Sequence, residues 1–259
     1  MSAMKIASWN VNSLNVRLPH VSSWLGSAAP DVVALQETKL EDSKFPADAI
    51  AALGYQSVFA GQKTYNGVAI LARSAPQDVV REVAGLDDPQ RRILAATVDD
   101  VRIVNLYVVN GQQVGSEKFS YKLDWLGKVR DFLREEIQRH PHTVVLGDFN
   151  IAPEDRDVHD PAAWHEQILC STPERGALKS MLDLGLHDTF RLFEHDGGHY
   201  SWWDYRQGGF RRNLGLRIDL ILASAALRQR CRAATIDRVP RTWERPSDHA
   251  PVLLQLETA

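Results

Sequence analysis

Short apolar runs bounded by turn residues dominate the hydrophobic pattern of the chain. These runs are rich in β-branched residues and too brief for helices, which is typical of buried strands. The pattern predicts strands at 5–11, 31–35, 55–60, 67–72, 78–83, 93–98, 101–109, 143–146, 217–223 and 252–256.

Helical spacing of apolar residues is found at 17–28, 46–53, 116–140 and 174–184. The longest of these segments has Ser116 as its predicted N-cap, followed by an apolar stripe. The predicted stripe consists of Phe119, Leu123, Leu126, Phe132, Leu133 and Ile137. Residues 151–172 are polar and irregular except for a short helical stretch at 162–169, so we expect a long surface loop. Loops of this length inside compact domains are usually functional or disordered.

Helices lie singly between groups of strands. This arrangement predicts an α/β fold in which two sheets pack face to face with helices outside. We expect a single domain over residues 1–259 with an N-terminal tail at 1–4, because no segment has the composition of a linker.

Composition narrows the class of protein. Hydrophobic residues make up 44% and charged residues 24% of the chain, as in ordinary globular proteins. The formal charge of -3 does not indicate a nucleic-acid partner, although a local basic face is compatible with it. Cys170 and Cys231 lack the spacing of a disulfide framework or a zinc site. With no apolar N-terminal stretch suited to a signal peptide or membrane span, we expect a cytoplasmic protein.

The strand at 143–146 leads directly into Gly147, Asp148, Phe149 and Asn150. If the strand alternation continues, Asp148 and Asn150 point to one side and Phe149 anchors the turn on the other. A carboxylate beside a carboxamide suits work on a phosphate and an activated water. For an isolated Asp-x-Asn, a turn with local hydrogen bonds is the simpler interpretation.

Polar groups recur at the ends of other predicted strands and form an ordered series. The series reads WNVNS, LQETK, NLYVVNG, GDFNIAP, WWDYR, RIDLIL and SDHAPV. It resembles the exonuclease III family of DNA-repair nucleases, within the endonuclease/exonuclease/phosphatase superfamily that includes deoxyribonuclease I. The resemblance covers residues 5–256. It implies a four-layered α/β-sandwich of two packed, mostly antiparallel sheets flanked by helices.

The resemblance also implies a Mg²⁺-dependent phosphodiesterase site at one edge of the sandwich, with Mn²⁺ as an alternative cofactor. Glu37 matches the metal-binding glutamate of the family, and Asn10 and Asp248 match residues in the same role or around it. Mg²⁺ prefers oxygen ligands and keeps several waters, so one or two carboxylates suffice. Asp148 and Asn150 match the pair that positions the attacking water and the phosphate, and we take Asp148 as the base.

Asp219 and His249 match the Asp-His pair of the family. A carboxylate on one ring nitrogen fixes the tautomer and favours the charged ring, which stabilises developing negative charge. Tyr107 matches the tyrosine that reaches the scissile phosphate, although a buried strand tyrosine with a satisfied hydroxyl is the simpler interpretation.

Residues 200–217 combine aromatic and basic side chains in a pattern typical of DNA contact. These side chains are Trp202, Trp203, Tyr205, Arg206, Phe210, Arg211, Arg212 and Arg217. By resemblance, Trp202 and Leu216 line the pocket for a base-less deoxyribose, and Asn110 and Asn213 contact phosphates. Arg211 is a further candidate for phosphate contact.

The chain departs from the family pattern at a few positions. Val109 replaces a frequent Pro, Leu216 replaces a frequent Trp, and Asn12 replaces an Asp found in some members. The change at Leu216 alters a pocket wall. Together with the bulky residues of 151–172, including His159 and Trp164, it leaves open the balance between abasic-site incision and 3′-end trimming.

The resulting interpretation is a monomeric DNA-repair phosphodiesterase. It hydrolyses the bond 5′ of abasic sites, or removes nucleotides and blocking groups at nicks and recessed 3′ ends of double-stranded DNA. A 3′-end-specialised exonuclease and a phosphatase on small phosphoesters are alternatives within the superfamily. A catalytically silent DNA-binding module is the alternative from another class, and we expect no membrane partner.

Overall fold

The computed structural model describes residues 3–86 and 88–258. The strands are β1 (Ala3–Asn10), β2 (Val32–Gln36), β3 (Gln56–Ala60), β4 (Val68–Ala72), β5 (Gln77–Val80), β6 (Ile93–Val98), β7 (Val101–Tyr107), β8 (Thr143–Asp148), β9 (Leu186–Asp188), β10 (Trp202–Trp203), β11 (Gly215–Leu216), β12 (Asp219–Ser224), β13 (Cys231–Ile236) and β14 (Val252–Glu257). The helices are α1 (Leu14–Ala28), α2 (Ala47–Ala51), α3 (Glu117–Arg139), α4 (Pro161–Trp164), α5 (Thr172–Leu182) and α6 (Ala225–Arg228).

Two six-stranded sheets form the body of the protein. Their strand orders are β13-β14-β1-β2-β4-β3 and β5-β6-β7-β8-β12-β9. Each sheet has a parallel pair near its centre, β1 with β2 and β7 with β8, and its other pairs are antiparallel. Parallel neighbours need a long crossover, which α1 supplies in the first sheet and α3 in the second.

Apolar clusters separate four layers. One cluster lies between the two sheets and includes Ile6, Ile70, Ile103 and Leu146. A second fills the space between the first sheet and α1, and a third lies between the second sheet and helices α3 and α5. These layers confirm the predicted four-layered sandwich with mostly antiparallel sheets.

Several element boundaries differ from the sequence prediction. β1 begins at Ala3, so two residues of the predicted tail are strand, and Met1 and Ser2 lie outside the described residues. The sequence prediction omitted β9, which is only three residues long, and β13, an edge strand with an irregular burial pattern. The helical stretch predicted at 162–169 ends at Trp164.

The buried stripe of α3 is rotated relative to the prediction. Ser116 caps the helix as expected, accepting a hydrogen bond from the backbone N–H of Phe119. Leu123, Phe132 and Ile137 are only partly buried. The buried stripe consists of Phe119, Lys122, Trp125, Leu126, Val129, Leu133 and Glu136. Two charged residues therefore occupy the apolar face of the helix.

Segment 151–172 is not the surface loop that the sequence predicted. Val158 and Leu169 are buried in a cluster with Leu216 and Ile218, and Val158 forms a β-bridge to Leu216. The polar composition concealed this packing because the buried apolar residues are spaced irregularly. The segment is part of the wall beside β10 and β11.

Gly147 allows β8 to pass close to β7 directly before Asp148. Its φ is 144°, and a Cβ atom there would overlap the carbonyl oxygen of Leu106. Only glycine fits both the conformation and the contact. This close contact between β7 and β8 fixes the position of Asp148 at the end of β8.

We expect Gly147→Ala to lower the free energy of unfolding by about 3 kcal/mol or more, because the backbone of β7 must shift to accept the methyl group. Gly127→Ala in α3 is the matched control, since nothing lies within 4 Å of the added Cβ. The control should be more stable than wild type by about 0.5–1 kcal/mol. Urea unfolding checks both, and wild-type stability of Gly147→Ala would contradict the steric argument.

Candidate active site

The candidate site lies at one edge of the sandwich, where strands of both sheets end. Asn10 ends β1 and Glu37 follows β2, both in the first sheet. In the second sheet Asp148 ends β8 and is aligned with Tyr107 on one side and Asp219 on the other. The pairing of the strands therefore brings together residues that are far apart in the sequence.

Asp148 is almost completely buried at 1% exposure and holds hydrogen bonds with both carboxylate oxygens. Its Oδ2 accepts from Asn10 Nδ2 at 2.9 Å, and its Oδ1 accepts from the backbone N–H of Asn150 at 2.9 Å. Burial raises the pKa of Asp148 to about 7, although the nearby His249 opposes the change. A carboxyl group with this pKa exchanges protons near neutral pH and suits general-base work.

Asn150 leaves strand geometry, with φ of 48°, so the predicted alternation does not continue past Asp148. The turn brings the two residues together through the bond from the Asn150 backbone. The Asn150 side chain donates to Val108 O at 3.0 Å and accepts from Asn110 Nδ2 at 3.2 Å. Phe149 is fully buried against the α3 side of the sheet, which confirms its predicted anchoring role.

His249 lies between two carboxylates. Its Nδ1 contacts Asp219 Oδ2 at 2.9 Å, and its Nε2 lies 3.8 Å from Asp148 Oδ2. Burial lowers the pKa of His249, but Asp219 and Asp148 outweigh this effect and raise the pKa to about 10. The ring is therefore charged at neutral pH and directs Nε2 towards the Asp148 side of the site.

Glu37 is the most accessible carboxylate of the group, with 18% of its side chain exposed. Its Oε1 accepts from Asn10 Nδ2 at 2.9 Å, and its Oε2 lies 2.8 Å from Lys39 Nζ. Burial raises the pKa of Glu37, but Lys39 and Asn10 lower it below the usual range. Lys39 also donates to Asn12 Oδ1 at 2.6 Å.

Glu37, Asp148 and His249 each offer a possible ligand atom, and these atoms lie within 4.8 Å of one another. The two carboxylates are hard oxygen donors, as a divalent cation such as Mg²⁺ requires. The charged imidazole of His249 is a donor for an anion instead. The residues thus fit a divalent cation, which Glu37 and Asp148 would hold, and His249 would face a negatively charged substrate oxygen.

Two of the predicted metal residues have other partners. Asn10 directs its amide nitrogen at both carboxylates, while its Oδ1 accepts from the backbone N–H of Asn12. Asp248 accepts from Trp202 Nε1 at 3.0 Å and from Asn12 Nδ2 at 2.9 Å. In the structure both residues orient the groups around the candidate metal position.

Tyr107 also faces this group of side chains. Burial raises its pKa well above the usual range, and a hydrogen bond to Glu37 adds to the effect. The guanidinium of Arg92 lies over its ring, 4.5 Å from the centroid. Tyr107 is therefore a protonated hydroxyl donor beside the candidate metal position.

The predicted DNA-binding residues lie in different environments. Asn110 and Arg211 are exposed, whereas Leu216 is fully buried beneath Trp202, its partner across the β10–β11 pair. Asn213 accepts from Trp203 Nε1 and donates to Gly198 O, so its amide groups hold the loop together. The cavity beside Trp202, of about 270 Å³, is lined by His159, Trp164, Trp202, Asp204, Arg206, Gln207, Gly209 and Leu214. Leu214 and not Leu216 faces this cavity.

Arg217 was expected among the DNA-contacting side chains, and this prediction was wrong. It is 1% exposed, and its guanidinium contacts Asp157 at 2.6 Å and Asp188 at 2.7 Å. Arg191 contacts the same Asp157. These ion pairs fix segment 151–172 against β9 and β11.

Two contributors were not predicted from the sequence. Lys39 lies within the LQETK motif, where its spacing from Glu37 was the available signal. Lys122 is fully buried in α3, and its ammonium bonds the backbone oxygens of Asn110 and Asn150 and the carboxylate of Glu174. A lysine on the apolar stripe of a helix was the signal for this contact.

Comparison with known proteins agrees with this geometry. The family described as the endonuclease/exonuclease/phosphatase family matches residues 7–249. The chain belongs to this family. Exodeoxyribonuclease III of Haemophilus influenzae is 35% identical, over 96% of this chain and 98% of that protein. The family membership confirms the resemblance to exonuclease III, and the chain is a hydrolytic nuclease of the DNA-repair type.

Solved structures of the family are also similar over nearly the whole chain. The 3′–5′ exonuclease NExo of Neisseria meningitidis is 52% identical with a TM-score of 0.97, covering 98% of this chain and all of that one. An AP endonuclease of Archaeoglobus fulgidus is 37% identical with a TM-score of 0.95 over the same shares. A 3′–5′ exonuclease and an AP endonuclease, two relatives with different named activities, thus share this fold.

We expect the cleavage rate at low substrate concentration to depend on Asp148 and His249 in opposite directions. Below pH 7 the rate should rise about tenfold per pH unit, because Asp148 accepts a proton only when ionised. A bound cation favours the ionised carboxylate and shifts this limb to lower pH. The rate should fall near pH 10, where His249 loses its charge.

Steady-state rates from pH 5 to about 11 at saturating metal check this profile, because the alkaline limb is centred near pH 10. His249→Gln is the control, because its residual activity should lack the alkaline limb. A wild-type rate that falls between pH 7 and pH 9 would contradict the assignment of a charged His249.

Proposed function

We propose that this protein is a metal-dependent DNA phosphodiesterase that repairs 3′ ends, with Mg²⁺ as its cofactor. The convergence of Glu37, Asp148 and His249 at one edge of the sandwich carries this proposal. Carboxylates for a cation, a group with a pKa near neutrality and a charged imidazole are the components that hydrolysis of a phosphodiester requires.

The residues divide the chemistry among them. Glu37 and Asp148 would hold the cation, which supplies charge stabilisation to the phosphate when bound. Asp148 accepts the proton of the attacking water, and Asn150 holds Asp148 through its backbone N–H. His249, oriented by Asp219, donates from Nε2 to a phosphate oxygen as negative charge develops there. The Tyr107 hydroxyl stays protonated and would donate a hydrogen bond to a phosphate oxygen in place of the one it makes to Glu37.

A preference for 3′ ends is supported by the cavity beside Trp202. Trp164 and His159 from segment 151–172 lie in its wall. Their rings meet edge to face, with 6.3 Å between the ring centroids. These bulky side chains reduce the space for a base-less sugar within a continuous duplex. The relative at 52% identity is named for 3′–5′ exonuclease activity, and a Neisseria structure of NExo is described as a 3′ phosphatase bound to a product DNA hairpin.

Incision 5′ of abasic sites remains a second candidate function, because an AP endonuclease is similar at 37% identity. Arg211 and Arg212 are exposed in the loop that supplies Gly209 and Leu214 to the cavity wall, and their charges favour a DNA phosphate backbone over a small phosphoester. We propose further that the protein acts as a single-domain monomer in the cytoplasm, on nicked or recessed double-stranded DNA. No helix in the described ranges has both the length and the apolar character to cross a membrane.

Asp148→Asn and His249→Ala should each retain binding to a nicked duplex while the turnover number falls about 10²–10⁴-fold, because each loses a group that acts on the reacting atoms. Single-turnover cleavage and fluorescence anisotropy separate the two effects. Phe193→Ala, a change at an exposed apolar residue, is the control with expected wild-type turnover. Near-wild-type cleavage by either active-site variant at saturating Mg²⁺, or full activity in excess chelator, would contradict the proposal.

A side-by-side assay on an internal abasic site and a nicked 3′ end tests the preference. Wild type should act faster at the 3′ end. Trp164→Ala should raise the relative rate at the abasic site about tenfold, which corresponds to about 1.4 kcal/mol of relieved steric conflict. The 3′-end rate of the same variant is the internal control. Equal wild-type rates on both substrates would argue against a 3′-end preference.

A further inference from the structure

A buried lysine connects three segments around the candidate site. Lys122 and Glu174 both have 0% side-chain exposure and form an ion pair between α3 and α5. Lys122 Nζ also donates to the backbone oxygen of Asn150 at 2.7 Å and to that of Asn110 at 3.1 Å. An ammonium group has three hydrogens, and these three acceptors use all of them.

Glu174 continues the connection to segment 151–172. Its Oε1 accepts from the backbone N–H of Leu169 at 3.1 Å. Its Oε2 accepts from the backbone N–H of Ser171 at 3.1 Å and from Ser171 Oγ at 2.6 Å. One ion pair therefore fixes the Asn110 loop, the Asn150 turn and the end of the segment that lines the cavity beside Trp202.

We propose that Lys122 and Glu174 are positioning residues for the nuclease reaction. Lys122 holds the backbone of Asn150, whose N–H donates to Asp148 Oδ1, and the backbone of Asn110, whose side chain donates to Asn150 Oδ1. Glu174 orients Lys122 and secures the cavity wall through Leu169 and Ser171. This inference rests on the proposed function, because it requires Asp148 to act as the base in the reaction.

Stability alone does not account for this ion pair. Taking two charges out of water costs several kcal/mol per ion, and well-packed apolar residues often replace such a pair without loss of stability. Gly111 shows how closely the loop packs on the lysine, since a Cβ there would lie 3.0 Å from Lys122 Cδ. The ion pair supplies directed hydrogen bonds to two loop carbonyls, which an apolar pair lacks.

The same helix offers a matched control. Glu136, near the other end of the buried stripe of α3, pairs with Arg102 at 2.6 Å, and both side chains are almost completely buried at 3% and 2% exposure. Arg102 also donates to the backbone oxygen of Asp78. Arg102 lies near the start of β7, at the opposite end of that strand from Tyr107. This pair has the same burial and chemistry but no contact with the site.

The test compares two double variants, Lys122→Met/Glu174→Leu and Arg102→Met/Glu136→Leu. The first should lose about 10- to 100-fold in kcat, as is typical when a group behind a functional residue is removed. The Mg²⁺ concentration for half-maximal activity should change little, because Asn10 still donates to Glu37 and to Asp148 Oδ2. KM should also change little, because Lys122 acts through Asp148 and not on the bound substrate. The control variant should cleave with the wild-type kcat, and its melting temperature should be similar to that of the first variant.

A wild-type kcat in Lys122→Met/Glu174→Leu would overturn the inference, as would an equal loss in both variants. If the double variant is not recovered folded, Lys122→Met/Glu174→Gln replaces it, because Lys122→Met alone would leave a buried carboxylate unpaired. The amide oxygen at position 174 can still accept from Ser171 Oγ, and the same loss of kcat is expected. Absence of metal-dependent cleavage in wild type would refute the proposed function itself, which distinguishes that failure from a failure of the positioning role.

Discussion

Repulsion between buried carboxylates is the interaction on which the site depends. Glu37, Asp148 and Asp219 come from three strand ends. Burial is the main cause of the raised pKa of Asp148, and the negative charges of Asp219 and Glu37 add to it. His249 and Lys39 supply two positive charges against these three carboxylates, and Asp248 beside them adds a further negative charge, so the site has a surplus of negative charge. A divalent cation fits this imbalance, and a protonated Asp148 relieves it when no cation is bound.

Hydrogen bonds between the two sheets hold these charged residues together at the same edge. Beneath the site Gln36 of the first sheet donates to Asn105 Oδ1 of the second at 2.8 Å, and Asn105 donates to the backbone oxygens of Leu35 and Ala69. These are buried, directed bonds between layers that otherwise meet through apolar side chains. They fix the register between Glu37 on one sheet and Asp148 on the other.

The sequence predicted the strands and the identity of the polar residues better than their partners. Strands such as β6 were predicted residue by residue, because an apolar run with a clear turn at each end has few alternatives. Asp148 and Asn150 were predicted to face one side by strand alternation, yet a turn with φ of 48° at Asn150 joins them. The turn with its local hydrogen bond is therefore the same feature that holds Asp148 and Asn150 together. Long-range partners such as Asp157 for Arg217 leave no periodic signal, so the arginine was assigned to the surface.

The two buried charges of α3 show why a charged residue on an apolar stripe needs a structural explanation. Helical periodicity alone favoured Leu123 over Lys122, because it assigns burial by hydrophobicity. Burial of an ammonium group becomes acceptable only where fixed acceptors replace its water, and such acceptors are concentrated where strands end and loops begin. The acceptors of Lys122 are the backbone carbonyls of Asn110 and Asn150 and the carboxylate of Glu174, whereas Glu136 meets Arg102 near the start of a strand. Both buried charges of α3 therefore need fixed partners. The partners of Lys122 lie at the candidate site, and the partner of Glu136 lies in the body of the fold.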